Sequence, residues 1–104
     1  MHATVRRYEG VDQSRTDELT KKVDESLMPR LSELPGFEGY YLIEAGKGVM
    51  SSIGFFASSA QADESTRVAD TWVREENLET ALPNPPKMTG GEVIVHKKNG
   101  FVRA

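Results

Sequence analysis

The chain has 104 residues, of which 38% are hydrophobic and 28% are charged, and it contains no cysteine. That length and composition indicate one soluble globular domain with a core of moderate size. The absence of cysteine excludes disulfides, thiolate nucleophiles and Cys-based metal or iron–sulfur sites. The formal net charge of −3 argues against a nucleic-acid-binding surface, because such surfaces are basic.

No stretch of the sequence predicts a membrane span or a secretory leader. The apolar runs are too short to cross a bilayer, and no hydrophobic segment follows the basic residues of the N-terminal MHATVRRYEG. We therefore expect a cytoplasmic protein with no membrane partner. Residues 1–97 are expected to form the domain, and residues 98–104 a C-terminal arm or a frayed tail.

The first two predicted elements are a strand and a helix. Residues 2–9, HATVRRYE, combine β-branched and aromatic residues and predict a strand. From Asp12 or Ser14 to Leu34, apolar residues recur every four positions, which predicts an amphipathic helix. Pro29 removes a backbone donor inside this helix, so we expect a kink or a short break there.

A β-hairpin is predicted over residues 34–57, the most distinctive stretch of the chain. Apolar runs at 37–45 and 49–57 flank Gly46-Lys47-Gly48, whose glycines suit a tight turn. Both runs place apolar residues on both faces of the sheet. The sheet must therefore be covered on both sides.

The second helix is predicted to begin at a Ser58 cap and to end at about Glu76. Trp72, the only tryptophan, is expected on its inward face, whereas Asp70 and Arg74 form an outward i, i+4 pair.

The last part of the chain predicts a loop and a strand. The proline-rich segment 82–87 cannot continue a helix and is expected to be an extended crossing loop. Residues 92–97, EVIVHK, predict the last strand, with two glycines before it.

The element order βαββαβ predicts an α+β, ferredoxin-like fold. Its four-stranded antiparallel sheet has the strand order 4-1-3-2, with both helices on one face. The opposite face is then uncovered, and its expected members are Tyr8, Tyr40, Leu42, Met50, Phe56 and Ile94. Because so large an apolar patch is unusual on a monomer, we expect the sheet to stack against a second copy as a homodimeric α/β barrel.

Five segments together resemble the dimeric α/β-barrel superfamily, which includes antibiotic-biosynthesis-monooxygenase-like and stress-responsive barrel proteins. They are VRRYEG, LPGFEGYYLIEAGKG, the segment from Thr71 to Leu78, LPNPP and GEVIVH. In this order and spacing they cover nearly the whole chain. The resemblance implies a ferredoxin-like protomer whose sheets pair into a barrel. Members of the superfamily include cofactor-free monooxygenases of polycyclic phenols, haem-degrading proteins and proteins of no assigned activity.

Two residue patterns of the superfamily are missing from this chain. The oxygenase members place an Asn one helical turn before a pocket Trp, but Val68 stands one turn before Trp72. The haem-degrading members use an axial His on the second helix, whereas His2 and His96 both lie on predicted strands. Haem ligation is therefore not expected.

Six residues are candidates for lining a ligand pocket: Arg6, Tyr8, Tyr40, Ser52, Trp72 and His96. Trp72 offers apolar area and an N–H donor between helix and sheet, although a helix-stripe Trp also suits a purely structural core. The other five form a polar and aromatic set expected on the barrel face. Such groups can deprotonate a phenol and hold its anion near O₂, or they can pair with one another across a dimer interface.

No metal site and no cofactor is expected. His2 begins the first strand and His96 ends the last, and because these strands are expected to be antiparallel neighbours, both histidines are expected at one end of the sheet. Two imidazoles suit a metal or a proton relay, but no third ligand has motif spacing. Ordinary surface or interface histidines are the favoured explanation.

Two functions of different classes remain open. The first is a homodimer that binds a small apolar or aromatic ligand, with cofactor-free monooxygenase activity. The second is a non-enzymatic dimeric module with a structural or stress-response role. RNA-recognition domains share the βαββαβ order, but residues 47–56, KGVMSSIGFF, lack the base-stacking aromatic positions of those domains. RNA is therefore not an expected partner.

Overall fold

A computed structural model describes residues 1–97 of the chain, so the predicted C-terminal arm, residues 98–104, lies outside the described residues. The strands are β1 His2–Tyr8, β2 Phe37–Gly46, β3 Val49–Phe56 and β4 Lys87–Glu92. The helices are α1 Thr16–Lys22, α2 Met28–Ser32 and α3 Ser59–Glu75, with a 3-10 turn at Gln13–Arg15 and a π-helical turn at Val23–Leu27. Within residues 1–97 no helix is long and apolar enough to cross a membrane.

The four strands form one antiparallel sheet in the order β2-β3-β1-β4, which is the predicted order read from the other edge. The helices pack on one side of this sheet around a core that includes Leu19, Leu27, Trp72 and Leu78. The predicted α+β, ferredoxin-like fold is therefore confirmed.

The hairpin forms where it was predicted, and its turn is hydrogen-bonded to the segment that follows β1. Gly46, Lys47 and Gly48 all adopt positive φ, at 83°, 56° and 77°. The Gly48 carbonyl accepts a hydrogen bond of 2.9 Å from the Val11 amide. A Cβ on Gly48 would lie only 3.2 Å from the Val11 carbonyl oxygen, so glycine is needed here for both conformation and space.

The predicted first helix, which comprises α1, the π-helical turn and α2, is irregular just before Pro29. The Met28 amide donates to the Val23 carbonyl, five residues earlier, which is the hydrogen bond of a π-helix. Pro29 then occupies the first turn of α2, where its missing amide costs little. The break expected at Pro29 is therefore a π-helical turn that precedes it.

The third helix matches its prediction at both ends. The Ser58 hydroxyl accepts from the Gln61 amide at 3.3 Å and caps its N-terminus, and the helix ends at Glu75. Ala62, Ala69 and Trp72 are buried on its inner face.

The predicted position of the last strand was wrong, since β4 begins at Lys87, five residues before the predicted start at Glu92. Arg6 lies opposite Met88 and His2 opposite Glu92 in the β1–β4 register. All six residues of β4 are exposed, so this edge strand carries no apolar alternation, whereas the alternating residues 93–97 form no strand. Apolar alternation misled the prediction because an edge strand needs only backbone pairing.

The predicted assignment of the sheet faces was also wrong. The side chains expected on the uncovered face, apart from Ile94, pack towards the helices: Tyr8, Tyr40, Leu42, Met50 and Phe56. Ile94 lies beyond β4 and is 89% exposed. A register irregularity between Phe37 and Gly39 changes which residues of β2 share a face. The open face instead carries Ala3, Val5, Tyr41, Ile43, Ile53 and Phe55.

Candidate ligand cavity

A cavity of about 50 Å³ lies between the helix-facing side of the sheet and the helices. Its apolar wall comes from both layers: Leu19, Val23, Leu27, Leu42, Met50, Ala69, Trp72, Val73 and Leu82. Its polar wall is Arg6, Tyr8, Tyr40 and Ser52. Five of the six residues proposed from the sequence are thus brought together around one space, but on the helix side of the sheet and not on the open face.

His96 is the sixth candidate, and it does not reach this cavity. It is exposed beyond the end of β4, while His2 lies opposite Glu92. The first and last strands are antiparallel neighbours as expected, but the placement of His96 on the last strand is wrong, because β4 ends at Glu92. Among residues 1–97, no group of three or more His, Asp or Glu side chains is placed to hold a metal ion.

Arg6 is the charged centre of the polar wall. Its side chain is only 8% exposed, and its Nη2 donates to Oδ1 of Asp70, a carboxylate on α3 that is 49% exposed. The Nε atom of Arg6 is buried and has no hydrogen-bond partner among the described residues. A buried charged donor without a partner is costly.

Asp70 is the residue that sequence reasoning missed. It was placed on the exposed side of α3 as a partner of Arg74, and its half-exposed carboxylate fits that description. No local sequence pattern indicates this role, since only the packing of α3 on β1 brings Asp70 next to Arg6. A buried arginine on a central strand was the available clue.

The two tyrosines of the cavity are neutral hydrogen-bonding groups. Burial raises the pKa of the Tyr8 phenol, against the lowering effect of the Arg6 charge. Burial also raises the pKa of Tyr40, with Ser52 and Arg6 acting in the opposite direction. The Arg6 guanidinium carbon lies 6.0 Å from the centre of the Tyr8 ring. Both phenols therefore keep their protons at neutral pH and can donate them in hydrogen bonds.

Trp72 joins α3 to the π-helical turn between α1 and α2, over the cavity. It is 2% exposed, and its Nε1 donates to the Ser26 hydroxyl at 2.9 Å. Ser26 lies on the π-helical turn Val23–Leu27, so this bond links α3 to the segment between α1 and α2. Trp72 is thus part of the core and also an apolar wall of the cavity, with its donor already used.

The cavity is smaller than an aromatic ring requires, because a cavity of about 150 Å³ is needed to hold benzene. Two surface grooves adjoin it through shared side chains. One, of about 550 Å³, shares Val23, Tyr40 and Leu42 with it. The other, of about 310 Å³, shares Tyr8 and other side chains with it and is also lined by Asp70. The shared side chains therefore separate the cavity from both grooves.

Comparison with known proteins finds likeness in structure only. No protein-family model matches the sequence, and no curated protein matches it. A protein of unknown function from Nitrosomonas europaea superposes with a TM-score of 0.74 at 19% identity, covering 95% of this chain and 94% of the other.

Two similar structures contain ligands. The monooxygenase ActVA-Orf6 of Streptomyces coelicolor, in complex with nanaomycin D, has a TM-score of 0.65 at 17% identity, over 99% of this chain and 92% of its own. A variant of MhuD with two manganese protoporphyrin IX molecules per active site has a TM-score of 0.74 at 16% identity, over 95% and 100%. The chain therefore has the ferredoxin-like fold of the antibiotic-biosynthesis-monooxygenase-like proteins.

The Ser26→Ala variant tests the bond over the cavity. Removing the hydroxyl leaves the buried Trp72 Nε1–H without its acceptor, so we expect the free energy of unfolding to fall by about 1–3 kcal/mol. Urea denaturation followed by tryptophan fluorescence measures this. Ser32→Ala is the control, because this hydroxyl is exposed and bonds only the Pro29 carbonyl. Equal losses in the two variants would show that the Trp72 bond has no special weight.

Proposed function

We propose that the chain binds a small, largely apolar or aromatic molecule in the cavity beneath Trp72 and oxidises it with O₂ without a resident cofactor. The observation that carries this proposal is the placement of Arg6, buried between Tyr8 and Tyr40 at one end of an apolar cavity, with Nε unpaired. An apolar space with a few convergent polar groups is the usual form of a small-molecule site.

The geometry suits a ligand with one polar end. Apolar side chains from the sheet, α1, the π-helical turn and α3 offer contact area for a ring. The polar wall is confined to β1, β2 and β3. Arg6 and the two phenols supply donors to an oxygen at that end. A ligand oriented in this way presents its polar oxygen to Arg6 and its ring to Trp72.

The chemistry proposed is the oxidation of an anthrone-like phenol by O₂. A ring CH₂ group loses both hydrogens, one atom of O₂ becomes the new carbonyl oxygen and the other leaves as water, so atoms balance. The protein would exclude bulk water and stabilise the charge that develops on the substrate, which is the task of fixed donors such as Arg6. The nanaomycin D complex of ActVA-Orf6 supports this choice of ligand class.

Haem is not part of the proposal. MhuD binds a manganese porphyrin within the same fold, but neither histidine of this chain lines the cavity. The residues present give no imidazole for an axial position at that place.

A non-enzymatic dimeric module with a structural or stress-response role is the second candidate, and the small cavity favours it. The space around Trp72 is nearly filled, and its donor is satisfied by Ser26. In that case Arg6 and Asp70 would serve only to join β1 to α3.

A homodimer is proposed for either function. The open face of the sheet exposes Tyr41 by 62% and Ile43 by 43%, and Val5, Ile53 and Phe55 lie beside them. An apolar sheet face of this kind is usually covered, and an isologous contact with a second copy covers it.

The ligand proposal predicts binding and O₂ uptake. Aromatic compounds with one hydroxyl or ketone oxygen, including anthrone, should raise the melting temperature and quench Trp72 fluorescence, and anthrone should increase O₂ consumption measured with an oxygen electrode. Arg6→Gln should lose O₂ uptake by about a hundredfold, since one charge-stabilising donor has that weight. Arg30→Gln is the control, because Arg30 of α2 also pairs with a carboxylate of α3, that of Glu75, but this ion pair is exposed.

Failure of every aromatic compound to stabilise the protein or to be oxidised would contradict this proposal and leave the dimeric module. Equal activity of Arg6→Gln and the control would contradict the role given to Arg6.

The dimer predicts twice the mass of the chain by light scattering at micromolar concentration. Replacing Tyr41 and Ile43 with lysine should shift the mass to that of a monomer, because like charges would face each other across the contact. Lysines at Ala60 and Thr71, both exposed on α3, add the same charge elsewhere and should leave the mass unchanged. A monomeric mass for the unaltered protein would refute the dimer.

A further inference from the structure

A single aromatic ring is larger than the closed cavity, so binding requires that one wall of the cavity moves. The cavity holds about 50 Å³, whereas benzene needs about 150 Å³. The β2-side wall divides the cavity from the groove of about 550 Å³ and consists of Val23, Tyr40 and Leu42. The α3-side wall divides it from the groove of about 310 Å³ and consists of Tyr8, Val73 and Leu82. The elements that carry these side chains decide which wall opens.

The α3-side wall belongs to regular elements of the fold. Val73 lies in α3, an uninterrupted helix of 17 residues. Tyr8 ends β1, a central strand that pairs with both β3 and β4. The Leu82 amide donates to the Leu78 carbonyl at 2.9 Å. Movement of this wall would therefore disturb a straight helix or the middle of the sheet.

The β2-side wall combines an edge strand with the π-helical turn. Tyr40 and Leu42 lie on β2, which forms one edge of the sheet and pairs with β3. The pairing of β2 with β3 is irregular between Phe37 and Gly39. Val23, the third side chain of this wall, begins the π-helical turn. Both sides of this wall are thus less constrained than those of the other.

Val23 is held by irregular backbone hydrogen bonds. Its amide is shared between the Leu19 and Thr20 carbonyls, an arrangement typical of a helix terminus. Its carbonyl accepts from the Met28 amide in the π-type bond. The Val23 side chain is only partly buried, whereas Leu27, at the other end of the turn, is 4% exposed. Single π-helical turns inside helices are frequent at functional sites.

The π-helical turn is fixed at both ends and less firmly in its middle. Ion pairs of Lys22 and Arg30 join the two ends to the C-terminal end of α3, at 3.0 and 2.8 Å. Between them, the Ser26 hydroxyl accepts from Trp72 Nε1 at 2.9 Å. One neutral hydrogen bond is weaker than a charge-assisted bond. The middle of the turn therefore moves more easily than the helical segments on either side.

We infer that Val23 is the gate residue of the ligand cavity. The π-helical turn moves this side chain outwards, and the cavity then opens into the groove of about 550 Å³. This inference rests on the proposed function and adds the route of entry and the residue that controls it. Leu27 stays in the core, and the bond between Ser26 and Trp72 resists the movement. The ligand enters between the π-helical turn and β2.

The kinetic probe is nitrobenzene, a single ring whose polar end accepts hydrogen bonds and which quenches tryptophan fluorescence. Trp72 is the only tryptophan, so stopped-flow fluorescence gives the association and dissociation rate constants at the cavity. Val23→Ala should raise both rate constants about tenfold, because binding that needs a conformational change becomes faster when that change is easier.

Val73→Ala is the matched variant, because it removes the same two carbon atoms from the α3-side wall. Both variants enlarge the cavity by the same amount, so the affinity for nitrobenzene should change similarly in the two. The rate constants should rise in Val23→Ala alone. A rise in Val73→Ala alone would place the entrance at the other groove and overturn the inference. An equal response of the two variants, whether a rise or none, would also overturn it.

Hydrogen exchange tests the gate in the unaltered protein, without a ligand. The Met28 amide, which donates the π-type bond, should exchange through local opening and faster than the Ala69 amide in α3. Ser26→Ala should increase exchange at Met28 about tenfold more than at Ala69, because it removes the bond that holds the turn. Exchange of both amides only through global unfolding would contradict the gate.

The outcomes separate the inference from the proposed function. If nitrobenzene binds and Val23→Ala leaves its rate constants unchanged, the gate is refuted while the ligand cavity stands. If nitrobenzene causes no saturable quenching of Trp72, the inference fails. The proposed function fails with it if anthrone also leaves the melting temperature unchanged.

Discussion

The burial of Arg6 is the constraint on which the rest of the structure depends. A charged side chain on a central strand cannot be left unpaired, and Asp70 on α3 supplies its partner. This contact fixes which face of β1 meets the helices and places a polar end in a cavity that is otherwise apolar. It pairs Nη2 of the guanidinium, whereas Nε has no hydrogen-bond partner among the described residues. The same contact is therefore structural and a source of binding capacity.

The elements that could be predicted from the sequence are those set by local chemistry. The Gly46-Lys47-Gly48 turn needs positive φ, and the Ser58 side chain caps α3, so both are visible in a few neighbouring residues. The order of the elements then restricts the sheet to one antiparallel arrangement, which the structure has. Five of the six candidate residues line the cavity, but only Arg6 and Tyr8 lie on β1, and the face of the sheet that carries them was not predictable from alternation along one strand.

The remainder depends on contacts that local patterns do not encode. The residues of β4 are all exposed and the strand pairs through its backbone, so no apolar alternation marks it. The alternation of residues 93–97 was misleading, because these residues form no strand. The sheet faces were exchanged because Arg6 and Ser52 gave the helix side a polar character that is normal for an outer face. Asp70 was hidden for the same reason, since its role exists only once α3 lies on β1.

The most direct test of the account is the NMR signal of the Arg6 Nε–H in protein labelled with ¹⁵N. Because this group is buried, its proton should exchange slowly with water, unlike that of the exposed Arg67. Its resonance should move when an aromatic compound that raises the melting temperature of the protein is added. Rapid exchange of this proton, or a resonance that no such compound moves, would contradict the role proposed for Arg6.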